Sequence, residues 1–235
     1  MANHVLLNNI DHKDLRVDTG HGRHLGDDVM FAPVIAAEFR NVQAHYPIVF
    51  RKDPEGRFQA VALFGFREGQ NLFLRGGHWE ATYLPLSVER QPFLIGLSGE
   101  QLLVHIDLDH PRVGRQAGEP LFLAHGGTTG FLEKKNSTLL ALHEGLQSMP
   151  TFIATLLEHE LLESFVLDVT LDDGSQNRLV GFYAINEDRL RSLPGEAVAA
   201  LHQAGYLEPV YMAVASLANL RVMIDRMNRA DADTR

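Results

Sequence analysis

Residues 45–74 constrain this chain more than any other stretch. They read His-Tyr-Pro-Ile-Val-Phe, a polar turn around Gly56, Ala-Val-Ala-Leu-Phe-Gly-Phe, a second turn, and Asn-Leu-Phe-Leu. Three short apolar runs separated by turn residues are the pattern of an antiparallel β-meander. Five of the 13 phenylalanines lie here (Phe50, Phe58, Phe64, Phe66 and Phe73), so the meander is expected to carry much of the core. Tyr46 precedes Pro47 and is biased toward an extended backbone.

Two further hairpins are legible. Residues 93–97 and 102–107 flank the turn Ser98-Gly99-Glu100-Gln101, and residues 165–171 and 179–185 flank Asp172-Asp173-Gly174-Ser175. The meander and the last hairpin both place Gly-Phe near the end of the returning strand, at Gly65-Phe66 and Gly181-Phe182. Hairpins resemble one another, and this echo does not require a duplication.

Elsewhere the pattern is mixed. Residues 5–10 read as a first strand, followed by a long solvated loop to about residue 30, and residues 36–42 suit one or two helical turns with Phe39 and Val42 on one face. Residues 111–120, with Gly114 and Gly118, read as a loop. From Thr129 helices take over, with Leu132, Leu139, Leu142, His143 and Leu146 on one stripe. Ser148 with Pro150 marks a new helix start, after which Ile153, Leu156, Leu157 and Leu161 continue the apolar face. Asn186 is a helix N-cap, with Ile185 placed to staple against Leu190. Ser192 with Pro194 opens the next helix and Gly205 ends it. A final helix is expected over residues 210–227, with Val210, Val214, Leu217 and Ile224 on one side. The expectation is one α+β domain over residues 1–235, with antiparallel hairpins packed against C-terminal helices. Its part up to about residue 125 is mostly β, and residues 126–230 are helix-rich with one hairpin.

Composition excludes several function classes. The chain has no cysteine, which rules out a disulfide scaffold, thiolate metal sites and a cysteine nucleophile. A formal charge of −9 argues against nonspecific binding to nucleic acid or anionic lipid. The first residues lack a secretory pattern, and no run approaches the roughly 18 uninterrupted apolar residues of a membrane helix. The nearest, residues 209–220, contains Ser216 and Asn219 and reads as a packed helix. A cytoplasmic location without membrane insertion is expected.

In Ala37-Glu38-Phe39, Tyr46-Pro47-Ile48-Val49-Phe50, Leu63-Phe64-Gly65 and Asn71-Leu72-Phe73, followed by Trp79, Tyr83-Leu84-Pro85 and Gln91-Pro92-Phe93, the chain resembles the bacterial SapC family. Further matches are Leu179-Val180-Gly181-Phe182-Tyr183, Ile185-Asn186-Glu187, residues 201–207 and Ala215-Ser216-Leu217, so the likeness spans nearly the whole chain. The resemblance implies an association with a bacterial surface layer. Family members also carry the label of a peptide-transport permease subunit, whose membrane helices this chain lacks. The family supplies no catalytic residue set.

The sharpest chemical motif is His105-Ile106-Asp107-Leu108-Asp109-His110. His105 and Asp107 fall on one face of a strand. A His-x-Asp pair with a distant third ligand, here His125 or one of His143, His159 and His202, is how double-sheet-barrel oxygenases hold Fe(II). The plainer reading is a solvated strand face. His12, His21 and His24, with Asp11, Asp14, Asp27 and Asp28, read first as a solvated loop and second as a metal site. His125-Gly126-Gly127 before a helix reads as a structural turn rather than an anion site. Trp79, Tyr83 and His78 offer an aromatic lining for a ligand pocket, or a core cluster. The chain has no Gly-x-Ser-x-Gly elbow.

These readings favour an accessory or binding protein that acts through a protein partner or a small molecule, with a homodimer as a further expectation. The alternatives are a metal-dependent, Fe(II) oxygenase-like enzyme using His105 and Asp107, with Fe(II) or another divalent metal as cofactor, and a surface-layer-associated protein.

Overall fold

Antiparallel strands and helices make up the chain, which is α+β as its patterning implies. The computed structural model describes residues 3–99 and 101–233. The first strands are β1 (His4–Leu6), β2 (Arg16–Val17), β3 (Phe31–Pro33), β4 (Ile48–Lys52) and β5 (Phe58–Leu63), with α1 (Phe39–Val42) after β3. Next come β6 (Leu74–Arg75), β7 (His78–Trp79), α2 (Leu86–Glu89), β8 (Phe93–Ser98), β9 (Gln101–Asp107), β10 (Val113–Gly114) and β11 (Glu119–Pro120). The remainder is α3 (Gly130–Glu158), β12 (Leu162–Thr170), β13 (Gln176–Ile185), α4 (Glu187–Arg191), α5 (Gly195–Gln203), α6 (Leu207–Ser216) and α7 (Asn219–Asp233). The chain forms two compact units built from non-contiguous segments. The first holds the residues up to Asp27, Leu74–Trp79 and Leu86–Glu144; the second holds Asp28–Phe73, Glu80–Pro85 and the residues from Gly145 onward.

In the first unit β9 is the middle strand of the sheet β1-β9-β8. The predicted 93–107 hairpin is present, with Phe93 opposite Ile106. These two residues join Leu15, Val17, Leu121, Leu132 and Leu139 in one buried cluster. Residues 111–120 are not a plain loop. They supply β10 and β11, which pair on either side of β2. Nor is the segment before residue 30 solvated throughout, because His12 and Asp27 are buried.

The second unit centres on a five-stranded sheet ordered β12-β13-β4-β5-β3. The β4–β5 hairpin predicted from residues 45–66 is its middle, with Ile48 opposite Ala62 and Lys52 opposite Phe58. The third run of the meander is not the third strand. That place is taken by β3, which pairs Phe31 with Leu63. Gly65 explains the difference: a Cβ there would overlap the Gln70 carbonyl oxygen. The chain therefore closes a tight loop, with the Gln70 side chain accepting the Phe66 N–H at 2.9 Å and Leu72 N–H donating to Phe64 C=O at 2.8 Å. Phe73 is thereby turned inward beside Tyr46 at 4.7 Å between ring centroids. Phe39, Phe50, Phe64, Phe73 and Phe152 are all under 2 % exposed, and each contributes about 1.5–3 kcal/mol through its burial.

The 162–185 hairpin forms with Gly181 at positive φ inside a bulge of β13, where Val180 and Gly181 face Val166 alone. Gly65 lies past the end of β5 instead, so the Gly-Phe echo joins two unrelated local structures. Asn186 caps α4 as predicted, accepting Arg189 N–H at 2.8 Å. Helix α3 does not restart at Ser148 but runs through Pro150. Met149, Phe152, Ile153 and Leu156 form one buried face across that point, while Pro150 lies on the exposed side. Burial of that face offsets the roughly 3 kcal/mol that an interior proline costs.

The expected last helix is two helices. Leu207–Ala230 is long and apolar enough to cross a membrane by length and composition alone. In the fold it breaks at Leu217-Ala218, where N–H groups turn to carbonyls three residues back. Ser216 is fully buried just before the break and accepts the Ile48 N–H at 2.8 Å, and Asn219 just after it donates to Gln43 C=O at 2.8 Å.

Candidate functional site

The principal candidate site is a cleft of about 650 Å³ in the second unit, between β5 and the C-terminal half of α3. It exists because β3 is short. After Pro33 the Val34 N–H makes a last bond to Ala60 C=O at 3.0 Å, and Ile35 then turns into a short helical segment, Ala36–Glu38. Phe58 and Gln59 of β5 therefore extend beyond their neighbour.

The opposite wall comes from α3: Leu146, Met149, Pro150, Ile153, Ala154 and Leu157. Their spacing of three, four, seven, eight and eleven residues puts them on one helical face. Leu146 is 50 % exposed and Leu157 46 % exposed, so two large apolar side chains of this wall stand open to solvent. Leu146 was predicted to join the buried stripe, but it borders the cleft instead.

The ionisable groups bordering the cleft are Lys52, Asp53 and Arg57. Arg57 pairs with Asp53 at 2.9 Å and with Glu55 at 3.1 Å, closing the β4–β5 turn. The Lys52 ammonium lies 5.1 Å from the Phe58 ring centroid and 5.8 Å from that of Tyr183. Cation–π contact holds it there. Among the described residues no carboxylate pairs with it. The cleft thus offers apolar area, a strand edge and one uncompensated cation, which is the make-up of a binding surface.

The residues singled out by the sequence are placed elsewhere. His105 and Asp107 share one face of β9, while Ile106 between them is fully buried on the other. The His105 ring covers Gly96 of the paired strand, where a Cβ would overlap it. Asp107 Oδ1 accepts the Asn3 N–H at 2.8 Å and the Asp109 N–H at 3.2 Å. Desolvation would raise the Asp107 carboxyl, but these N–H groups, with His4 and His110 nearby, hold it below the ordinary aspartate value. His125 is exposed in the turn that joins Phe122 to Thr128. Among the described residues no three His, Asp or Glu side chains are gathered as metal ligands, and His143, His159 and His202 complete no such group.

Of the proposed aromatic lining, His78 is exposed and Trp79 meets the His21 ring edge-on at 5.7 Å. Tyr83 donates its hydroxyl to Glu38 Oε2 at 2.8 Å. None of the three lines the cleft.

A second polar constellation, in the first unit, takes His21 and Asp27 from the N-terminal cluster and joins them to Arg112, a link the sequence did not show. The Asp27 side chain is wholly buried and pairs with Arg112 Nη2 at 2.6 Å. It also accepts the Gly22 N–H at 2.9 Å and meets His21 Nδ1 at 3.2 Å. Arg112 Nη1 donates to the carbonyls of Asp18 and Gly20. Desolvation pushes the Asp27 carboxyl up, but the bonds from His21, Gly22 and Arg112 outweigh it and leave it below the usual aspartate value. The arrangement clasps the 18–27 loop. Its two charged members lie 85 residues apart, so no local pattern links them.

The SapC family model matches residues 7–223. No curated protein and no solved structure matches the chain.

Proposed function

From the premise that the chain belongs to the SapC family, we propose that it is a noncatalytic binding protein whose ligand site is the apolar cleft between β5 and α3. The observation that carries this reading is the pair Leu146 and Leu157, half exposed on the wall of a 650 Å³ cleft. Covering the exposed half of each leucine stabilises a complex by about 1 kcal/mol. The volume lies within the range of small-molecule and peptide sites. Asp53 and Arg57 neutralise each other, which leaves the cleft to recognise shape and apolar area rather than to move protons.

The test is saturable binding of the apolar dye 1-anilinonaphthalene-8-sulfonate, followed by fluorescence. Ala154 is exposed on the cleft wall, so Ala154→Trp fills the cleft without disturbing the core. The reading expects the wild-type protein to bind the dye and the variant to lose at least about tenfold in affinity, a difference of about 1.4 kcal/mol. Equal binding by the two proteins would show that the cleft is not the site.

A further inference from the structure

The geometry points to an extended peptide segment as the occupant of the cleft, adding to β5 as a short strand and carrying an acidic group at the Lys52 end. This inference rests on the cleft being a binding site and names what binds there.

The first argument is the direction of backbone groups along β5. Asp53 N–H donates to Arg57 C=O, and Leu63 N–H donates to Pro47 C=O. In an antiparallel pair, alternate residues turn their N–H and C=O to opposite sides. Residues 57, 59, 61 and 63 therefore face β4, while Phe58, Ala60 and Ala62 face away from it. Ala62 is met by Ala32 of β3, and the Ala60 carbonyl is met by Val34 N–H. Phe58 lies past the end of β3, so its N–H and C=O are directed to the side on which the cleft opens. One residue of an incoming strand can exchange a pair of hydrogen bonds with it, which is how a strand adds to a sheet edge.

The second argument is the opposite wall. Its apolar face runs from Leu146 to Leu157, a rise of roughly 17 Å at 1.5 Å per residue. About five extended residues, at roughly 3.3 Å each, cover that length. Alternate side chains of such a segment point toward the helix, so an alternating apolar pattern suits it. A groove between a strand edge and a helix face recognises a backbone as well as side chains, which a simple apolar molecule does not exploit.

The third argument is charge. Lys52 is opposite Phe58 in the hairpin register and borders the cleft. Its neighbours Asp53 and Glu55 both pair with Arg57, so the turn as a whole is neutral, and Lys52 is the cation there that no carboxylate pairs with among the described residues. A carboxylate on the occupant complements it.

The experiment uses the full chain and fluorescein-labelled pentapeptides that alternate valine, leucine or isoleucine with serine and end in aspartate. Binding is read by anisotropy against three controls: the same peptides N-methylated on their backbone amides, peptides ending in lysine, and dodecanoate as a competitor. The expected result is saturable binding that falls at least about tenfold on N-methylation. Lys52→Glu should weaken the aspartate peptides about fivefold or more and favour the lysine peptides. Ala154→Trp should weaken all of them. Lys52 and Ala154 are exposed, so neither substitution burdens the fold. Equal binding of N-methylated peptides would overturn strand addition. Dodecanoate binding that Ala154→Trp blocks, with no peptide binding, would also overturn it while leaving the cleft as a ligand site. Binding of neither class to the wild-type protein would remove both readings.

Discussion

The Tyr83 hydroxyl donates a 2.8 Å hydrogen bond to Oε2 of Glu38, a carboxylate only 3 % exposed. The other Glu38 oxygen accepts the Ile35 N–H at 3.0 Å, and the Tyr46 hydroxyl donates to the Tyr83 carbonyl at 2.6 Å. Three separated segments that carry the family likeness, around Glu38, Tyr46 and Tyr83, are thus tied at one buried point of the second unit.

Removing the donor from this point tests its weight. Tyr83→Phe deprives a buried carboxylate of a hydrogen bond and is expected to cost roughly 2–3 kcal/mol. The measurement is urea unfolding, with the midpoint lowered and the slope unchanged. Burial, with the Glu38 carboxylate beside it, pushes the Tyr83 hydroxyl well above its ordinary value of 10.0. The folded state therefore keeps a proton that the unfolded state releases. This contribution is full below about pH 10 and declines as pH rises above it. Tyr83→Phe should lose less stability than the wild type on that alkaline limb.

Asp27 and Arg112 give the opposite pH dependence in the first unit. Desolvation raises the Asp27 carboxyl, but its bonds to His21, Gly22 and Arg112 leave it lowered from 3.8. Its contribution is present above that value and is lost as pH falls through the lower, folded-state value. Arg112→Leu leaves a buried carboxylate without its cation and is expected to cost about 3–5 kcal/mol at pH 7. Asp27→Asn should flatten the acid limb of stability below roughly pH 4, as read from urea midpoints across a pH series.

Gly145 lies inside α3, where alanine would ordinarily stabilise a helix by up to about 1 kcal/mol. Here a Cβ would overlap Cδ1 of Ile35, a side chain only 2 % exposed. Gly145→Ala should therefore destabilise by about 1–3 kcal/mol. Pairing it with Ile35→Val, which removes that methyl, should recover part of the loss in thermal unfolding. Simple additivity of the two substitutions would contradict the overlap.

Pro150 lies in the same helix and lines the cleft. Pro150→Ala restores the missing N–H and should raise stability by roughly 1–3 kcal/mol, since the interior penalty is partly offset by the stiffer unfolded chain. A stabilised variant with altered dye binding would show that the proline shapes the cleft wall.

Ser216→Ala removes the acceptor for the Ile48 N–H, which starts a central strand. Leaving that donor buried should cost about 1–3 kcal/mol. Hydrogen exchange at Ile48, read by NMR, should accelerate with it.

Much of the strand content was legible because alternation and glycine turns are local signals. The hairpins around Gly56 and Gly174 and the Asn186 cap needed only neighbouring residues. The exit of residues 71–73 from the meander was not legible, because it depends on Gly65 meeting the Gln70 backbone across a closed loop. Pro150 and the break after Ser216 misled in opposite directions. A local helix breaker was overridden by a buried face, and an unbroken apolar pattern was interrupted by side chains that bond to distant backbone.

The candidate site divides in the same way. His105 and Asp107 were correctly placed on one strand face, since a period of two determines that much. Whether they meet a third ligand depends on distant chain, as does the Asp27–Arg112 clasp. The cleft between β5 and α3 depends on where β3 ends and which face of α3 lies opposite, and neither is encoded in a local period. By itself the sequence determined the α+β class, most hairpins, the family and the exclusion of thiol chemistry, because these follow from residue type and short-range spacing. Only the tertiary structure decided which strand edge stays open, which leucines remain in solvent and which charges are buried together, because those follow from contacts between residues far apart along the chain.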